Sequence, residues 1–178
     1  PGPRTTALLK VLDAPEPLSA WSRSTWQKEA RKLSSTPFLE FLGCLAPGSA
    51  ECGSPRRCLR ALEVCLELFG DSAAHATRLA AACKHASVRA QAARWLGVHG
   101  KPAGLAPLLK DSSALVRRNA VESAARFWGD PTADPLIETV FGLASTTDRR
   151  LRHAIIASLA HLDPEGLPKA KTAGEKIV

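Results

Sequence analysis

The stretch SVRAQAARWLG, Ser87 to Gly97, returns in altered form as LVRRNAVESAA from Leu115 and as RLRHAIIASLA from Arg150. With Val88, Val116 and Leu151 as position zero, an arginine follows each time, at Arg89, Arg117 and Arg152. Four positions on stand Ala92, Ala120 and Ile155, and eight positions on stand Leu96, Ala124 and Leu159. Positions zero, four and eight share one face of a helix, so each copy predicts a helix with a single apolar stripe. The small residues in that stripe let a neighbouring helix come close. Between the copies lie Gly or Asp-Pro turns and second amphipathic segments, one with Leu105, Leu108 and Leu109, the next with Leu136, Val140 and Leu143. The unit is therefore a helical hairpin, repeated at intervals of 28 and 35 residues. One hairpin cannot bury its stripe alone, whereas stacked hairpins build a continuous core.

The rest of the chain agrees with an all-α class. Ala and Leu lead the apolar residues, Tyr is absent and β-branched residues are few. That bias favours helix, because Val, Ile and Thr lose side-chain freedom there and Ala and Leu lose little. No stretch alternates as a half-buried strand would. TTALLKVLDA predicts a short helix ending before Pro15, and PLSAWSRSTWQKEARKLSS a second one with Pro17 in its first turn. Thr36 and Pro37 open a third, and residues 47–55 form the longest expected loop. From Arg56, helical spacing links Leu59, Leu62, Cys65, Leu66 and Phe69, with Gly70 as the expected terminator. Asp71 and Ser72 are the N-cap candidates of the helix after it. Trp21 and Trp26, five apart, cannot both sit centrally on one stripe; either one of them, or Phe38 and Phe41, is exposed as a contact at the front end, or these aromatics cap the hydrophobic end of the stack.

DSSALVRRNAVESAA and TDRRLRHAIIASLA resemble the first helix of HEAT repeats, especially the short bacterial HEAT-like kind related to phycobilisome-lyase repeats. The likeness is good from Ser87 to Leu162, degenerate from Arg56 to Lys84, and only architectural before that. It implies a right-handed α-solenoid of stacked antiparallel hairpins whose second helices line a concave face. It also implies a structural ladder of Asp and Arg, here Asp111 with Arg117 and Asp148 with Arg152. The first copy departs from that pattern with His85 in its acidic region, so Arg89 needs another partner. The expected organisation is one folded domain: an irregular helical portion over residues 1–55, HEAT-like repeats over 56–168, and a tail over 169–178.

Chemistry is sparse. The five histidines include no zinc-ligand pair, and Cys83 with His85 lacks further ligands nearby. The His-Glu pairs of iron-binding HEAT-like hydroxylases are missing, as are G-x-S-x-G and a phosphate-binding glycine loop. No catalytic residue, metal or cofactor is expected, and the chain reads as a non-enzyme. Cys58, Cys65 and Cys83 read as small core hydrophobes. Cys44 could pair with Cys52, or Cys52 with Cys58. A cytoplasmic setting is preferred, but a disulfide at Cys44, Cys52 or Cys58 would indicate a periplasmic or secreted protein. No apolar run is long enough to span a membrane. The chain has no Met and reads as a fragment or processed product.

The formal charge is +7, with 13 basic and 8 acidic residues up to residue 100 and 11 and 9 after it. This excess permits nucleic acid or an acidic protein as partner. Arg56, Arg57, Arg60, Arg117, Arg118, Arg126, Arg149, Arg150 and Arg152 recur at similar helical phases and could align as a stripe along a phosphate backbone. Trp95 and Trp128 near the helix ends could stack on bases. Glu63, Glu67, Glu122 and Asp130 dilute that field. The preferred reading is a protein-binding scaffold or adaptor using the concave face, with Arg94, Trp95, Arg117, Arg118, Arg126 and Trp128 as candidate contacts. The alternative is a nucleic-acid-binding module related to DNA repair. Trp95 stands out, because Ser123 and Ser158 hold its register position in the other copies.

Overall fold

The computed structural model describes residues 3–15, 20–43 and 54–160, and among them every regular element is a helix. The order is α1 (Pro3–Leu12), α2 (Ala20–Arg31), α3 (Thr36–Gly43), α4 (Pro55–Leu68), α5 (Gly70–Ala81), α6 (Ala86–His99), α7 (Ala106–Leu109), α8 (Ala114–Ala124), α9 (Asp134–Gly142) and α10 (Arg149–Leu159). Short 3-10 turns precede α7 and α9 and follow α8. The chain divides into two compact units, Pro1–Ala92 and Ala93–Val178, with the division inside α6.

In the first unit, α3 packs on both α4 and α5, and α1 and α2 pack on α4. One core joins Val11 and Leu12 of α1, Trp26 and Ala30 of α2, Phe38 and Leu42 of α3, and Leu62, Val64 and Cys65 of α4. Burying side chains of this size contributes about 1.5–3 kcal/mol each. Trp26 and Phe38 are thus in the core, and Phe41 is half-buried. The Trp26 indole N–H donates to the Val11 carbonyl at 3.1 Å, which satisfies the one polar atom such a ring brings inside. Cys58, Cys65 and Cys83 are buried as expected, whereas Cys44 and Cys52 lie outside the described residues.

Two local expectations need correction. Gly70 does not end α4; it is the first residue of α5. Nor do Asp71 and Ser72 cap α5, because the residue before the helix is Phe69, which makes no side-chain cap. The two helices are joined through Phe69 alone, with φ −131° and ψ 64°. Its ring lies 6.3 Å from that of Phe38, so a packed aromatic fixes the corner where a glycine cap was expected. The start of α4 is conventional: the Ser54 hydroxyl accepts from the Arg57 N–H at 3.4 Å, and Pro55 opens the helix.

In the second unit, α8 packs on α10 and on α7, and α7 packs on α9. The stripe positions are buried at Val116, Ala120 and Ala124 of α8 and at Leu151 and Ile155 of α10. Leu105, Leu108 and Leu109 are buried from the second segment, as are Leu136 and Val140 from the next. Close approach is visible at two points. A Cβ on Gly97 would lie 2.6 Å from the Ser123 Cβ, so α6 and α8 meet there without room for a methyl group. The Ser158 hydroxyl of α10 donates to the Val121 carbonyl of α8 at 3.2 Å. Seven positions after the stripe begins, Ser123 and Ser158 are therefore buried contact residues.

Candidate functional site

The repeated arginines share one geometry. Arg89 Nη1 donates to the carbonyls of Cys83 and Lys84 at 2.8 and 3.0 Å. Arg117 Nη1 donates to those of Asp111 and Ser112 at 2.7 and 2.9 Å. Arg152 Nη2 donates to that of Thr146 at 2.9 Å. In every copy the guanidinium reaches back six residues, and in two copies five as well, onto the turn before its own helix. It thereby satisfies carbonyls that lie between two helices and have no partner within either. The aspartates hold the same turns by accepting main-chain N–H groups. Asp148 caps α10 by accepting from the Leu151 N–H at 2.9 Å, and Asp111 accepts from the Ser113 N–H at 2.8 Å. Arg117 meets Asp111 at its main-chain oxygen.

The arginines of RRCLR are also engaged in the fold, which removes the front of the expected phosphate-tracking stripe. Arg57 grips Asp13 with two bonds of 2.7 and 2.8 Å, and Arg56 donates to the Ala14 carbonyl at 2.7 Å. The Arg57 guanidinium holds the Asp13 carboxyl below its ordinary range. Arg60 is 2% exposed, pairs with Glu63 at 2.6 Å and lies 5.0 Å from the centre of the Trp26 ring. Arg23 of α2 reaches the same Glu63 at 2.8 Å and Glu67 at 2.7 Å. The four arginines tie α2 and the turn after α1 to α4.

The candidate contact residues divide by what holds them. Trp128 is half-buried and its indole donates to the Ser158 carbonyl at 2.8 Å, which anchors the turn after α8 to α10. Trp95 is half-buried with the His99 ring one turn on, at 5.0 Å between centroids. Arg118 lies 3.7 Å from Glu122. Arg94 and Arg126 are exposed. Beside them are residues that sequence reasoning missed. Among the described residues the exposed large hydrophobics are Val98 at 56%, Leu115 at 41% and Ile156 at 62%, one each on α6, α8 and α10. Each stands one helical turn from a basic side chain: Arg94 before Val98, Arg118 after Leu115, and Arg152 and His153 before Ile156. The signal was available as apolar residues off the stripe, but an isolated one is unremarkable on any surface.

Cys58 and Cys83 form a further cluster. The two buried thiols are hydrogen-bonded to each other, and Cys58 Sγ also contacts the Ser54 carbonyl at 3.1 Å. The Cys58 hydrogen bond, the His85 N–H and the charges of His85 and Arg89 together hold the Cys83 thiol below its ordinary value. Burial alone acts on Cys65, whose thiol is pushed up to about 12. No group of three or more His, Cys, Asp or Glu side chains among the described residues is arranged to hold a metal ion. No described helix is long and apolar enough to cross a membrane.

Comparison with known proteins adds one finding. Residues 102–173 match the family model of HEAT repeats. The matched span contains the second and third copies of the repeated phrase and the helices α8, α9 and α10. No curated protein and no solved structure matches the chain.

Proposed function

We propose that this chain is a non-enzymatic protein-binding module, its hairpins stacked as in a right-handed α-solenoid of the HEAT type, with the Asp and Arg turns as its repeat ladder. The observation that carries the reading is the exposed hydrophobic residue on each of α6, α8 and α10, with a basic side chain one turn away. Apolar side chains beside cations suit an acidic protein surface with its own apolar patches, which buries the one and pairs the other. The concave face expected from the sequence belongs to the second helices. Exposed acids of α9, Asp134 and Glu138, dilute positive charge there. The better contact surface is the solvent side of the first helices, with Arg94, Trp95, Arg118, Val98, Leu115 and Ile156. A phosphate-tracking stripe is less favoured, because Arg56, Arg57, Arg60, Arg117 and Arg152 spend donors on the fold.

The test is cross-linking capture from the native cell, comparing the parent chain with Val98→Asp and Ile156→Asp. Both positions face solvent, so the melting temperature should hold and stability should move by less than about 0.5 kcal/mol. A protein cross-linked to the parent chain and lost, about tenfold or more, with both folded variants supports the reading. An unchanged set of partners refutes it.

A further inference from the structure

We propose that Cys58 and Cys83 are an oxidisable pair that closes to an intramolecular disulfide when a peroxide reaches Cys83. The residues sit on different elements, Cys58 in the second turn of α4 and Cys83 in the connection between α5 and α6. Both are in the first unit's core, at 0% and 1% exposure, with their side chains in hydrogen-bonding contact. A thiol that already touches another needs only a short approach to reach the 2.05 Å of a sulfur-sulfur bond.

The repeat shows why Cys83 is the nucleophile. Counted back from the arginine, Cys83 stands where Asp111 stands in the next copy, six residues before Arg89 and Arg117 respectively. Both copies place the arginine Nη1 on the main-chain oxygen of that residue, at 2.8 and 2.7 Å. In both, its side chain accepts from the N–H two residues on, Ser113 onto the Asp111 carboxylate and His85 onto the Cys83 sulfur. Cys83 thus occupies a position built for an anion, beside a guanidinium, and the charged form of a thiol is the reactive one. The groups that face it are Cys58 from α4, His85 from the connection itself and Arg89 from α6. Its neighbours Ala82 and Lys84 are exposed and not helical, so local opening of this turn admits a molecule as small as hydrogen peroxide.

The steps balance. The Cys83 thiolate attacks the O–O bond, giving a sulfenic acid, while the departing oxygen takes a proton and leaves as water. The Cys58 sulfur then displaces the sulfenic hydroxyl, which leaves as a second water with the Cys58 proton. Two thiols lose two electrons, and the peroxide is reduced to two waters.

The folded chain is treated with hydrogen peroxide, its remaining thiols are alkylated in denaturant, and peptides are mapped by mass spectrometry. The expected product has lost two hydrogens and contains a peptide linked through Cys58 and Cys83, with Cys65 fully alkylated. In Cys58→Ser, checked for an unchanged circular dichroism spectrum, Cys83 should stop at a sulfenic acid that a cyclic diketone traps. The rate of the parent's reaction should reach half its plateau at least one pH unit below the ordinary thiol value of about 8.5. Three results would each overturn the proposal. They are Cys83 joined to Cys44, Cys52 or Cys65, Cys83 at sulfinic acid with no linked peptide, and oxidation of Cys83 no faster than that of Cys65.

Discussion

At the scale of single residues, identical side chains take opposite characters from their surroundings. Cys65 has only burial around it, so its thiol stays neutral far into the alkaline range, with its value raised to about 12. In the unfolded chain the same thiol ionises near 8.5. The folded state therefore keeps this contribution below pH 8.5 and loses it as pH rises through the window between the two values. From pH 8 to pH 10 the loss attributable to Cys65 should be about 2 kcal/mol. Urea titrations of the parent and Cys65→Ala at both pH values check this, and the variant should lack that part of the decline. Cys83 carries the opposite sign: its contribution is complete above the unfolded value and is lost as pH falls through its lowered folded value. Gly97 is decided by space. An added Cβ would meet the Ser123 Cβ at 2.6 Å and its Cα at 2.9 Å, atoms that cannot swing aside. Gly97→Ala gains about 1 kcal/mol of helix propensity but overpacks a contact that costs about 1–3 kcal/mol. A net loss is expected by thermal denaturation, and combining it with Ser123→Gly should restore part of it as a favourable coupling.

At the scale of elements, the arginine turn is the recurrent device. A guanidinium that returns to the carbonyls just before its helix fixes the angle at which that helix leaves the turn. Arg89 and Arg117 each satisfy two carbonyls and Arg152 one. Alanine at Arg89 or Arg117 should therefore cost about 1–2 kcal/mol, and at Arg152 about half as much, since charged hydrogen bonds near solvent contribute modestly. An equal loss at all three positions in chemical denaturation would contradict this ranking. The α1–α2–α4 network follows another principle. Arg60 is stacked on Trp26 and paired with Glu63, which Arg23 also holds, so the charge enters the core already compensated.

At the scale of the molecule, a net charge of +7 suggests a polyanion partner until each arginine is traced to what it touches. The arginines at α4 bind Asp13, the Ala14 carbonyl and Glu63, and those of the motif bind turns. Of the other arginines in the expected stripe, Arg118 lies beside Glu122, and Arg126, Arg149 and Arg150 are exposed. Binding to arbitrary duplex or single-stranded DNA is therefore expected to be weaker than micromolar at physiological salt, and to fade further as salt rises. A gel-shift series over salt measures this, and submicromolar binding at physiological salt would favour the nucleic-acid reading.

Much of the fold was legible because periodicity is local: the apolar stripes of α8 and α10 and the burial of Leu105, Leu108, Leu136 and Val140 all follow from 3.6-residue spacing. The all-helical class follows from composition and the absence of strand alternation. Spacing could not say where an arginine reaches, because a long side chain chooses among carbonyls and carboxylates that folding assembles. Arg57 meets Asp13 across 44 residues of sequence, and Arg23 meets Glu63 across 40. The same holds for the candidate contacts. Trp95 and Trp128 were visible as aromatics, but the bond from Trp128 to Ser158 and the exposure of Ile156 depend on how α8 and α10 pack. By itself the sequence determined the repeat, the helices and their buried faces, since these depend on neighbours one or two turns apart. Only the tertiary structure decided which charges are spent on the fold, which apolar residues face water, and that Cys58 of α4 meets Cys83. Those properties belong to contacts between segments far apart in the chain.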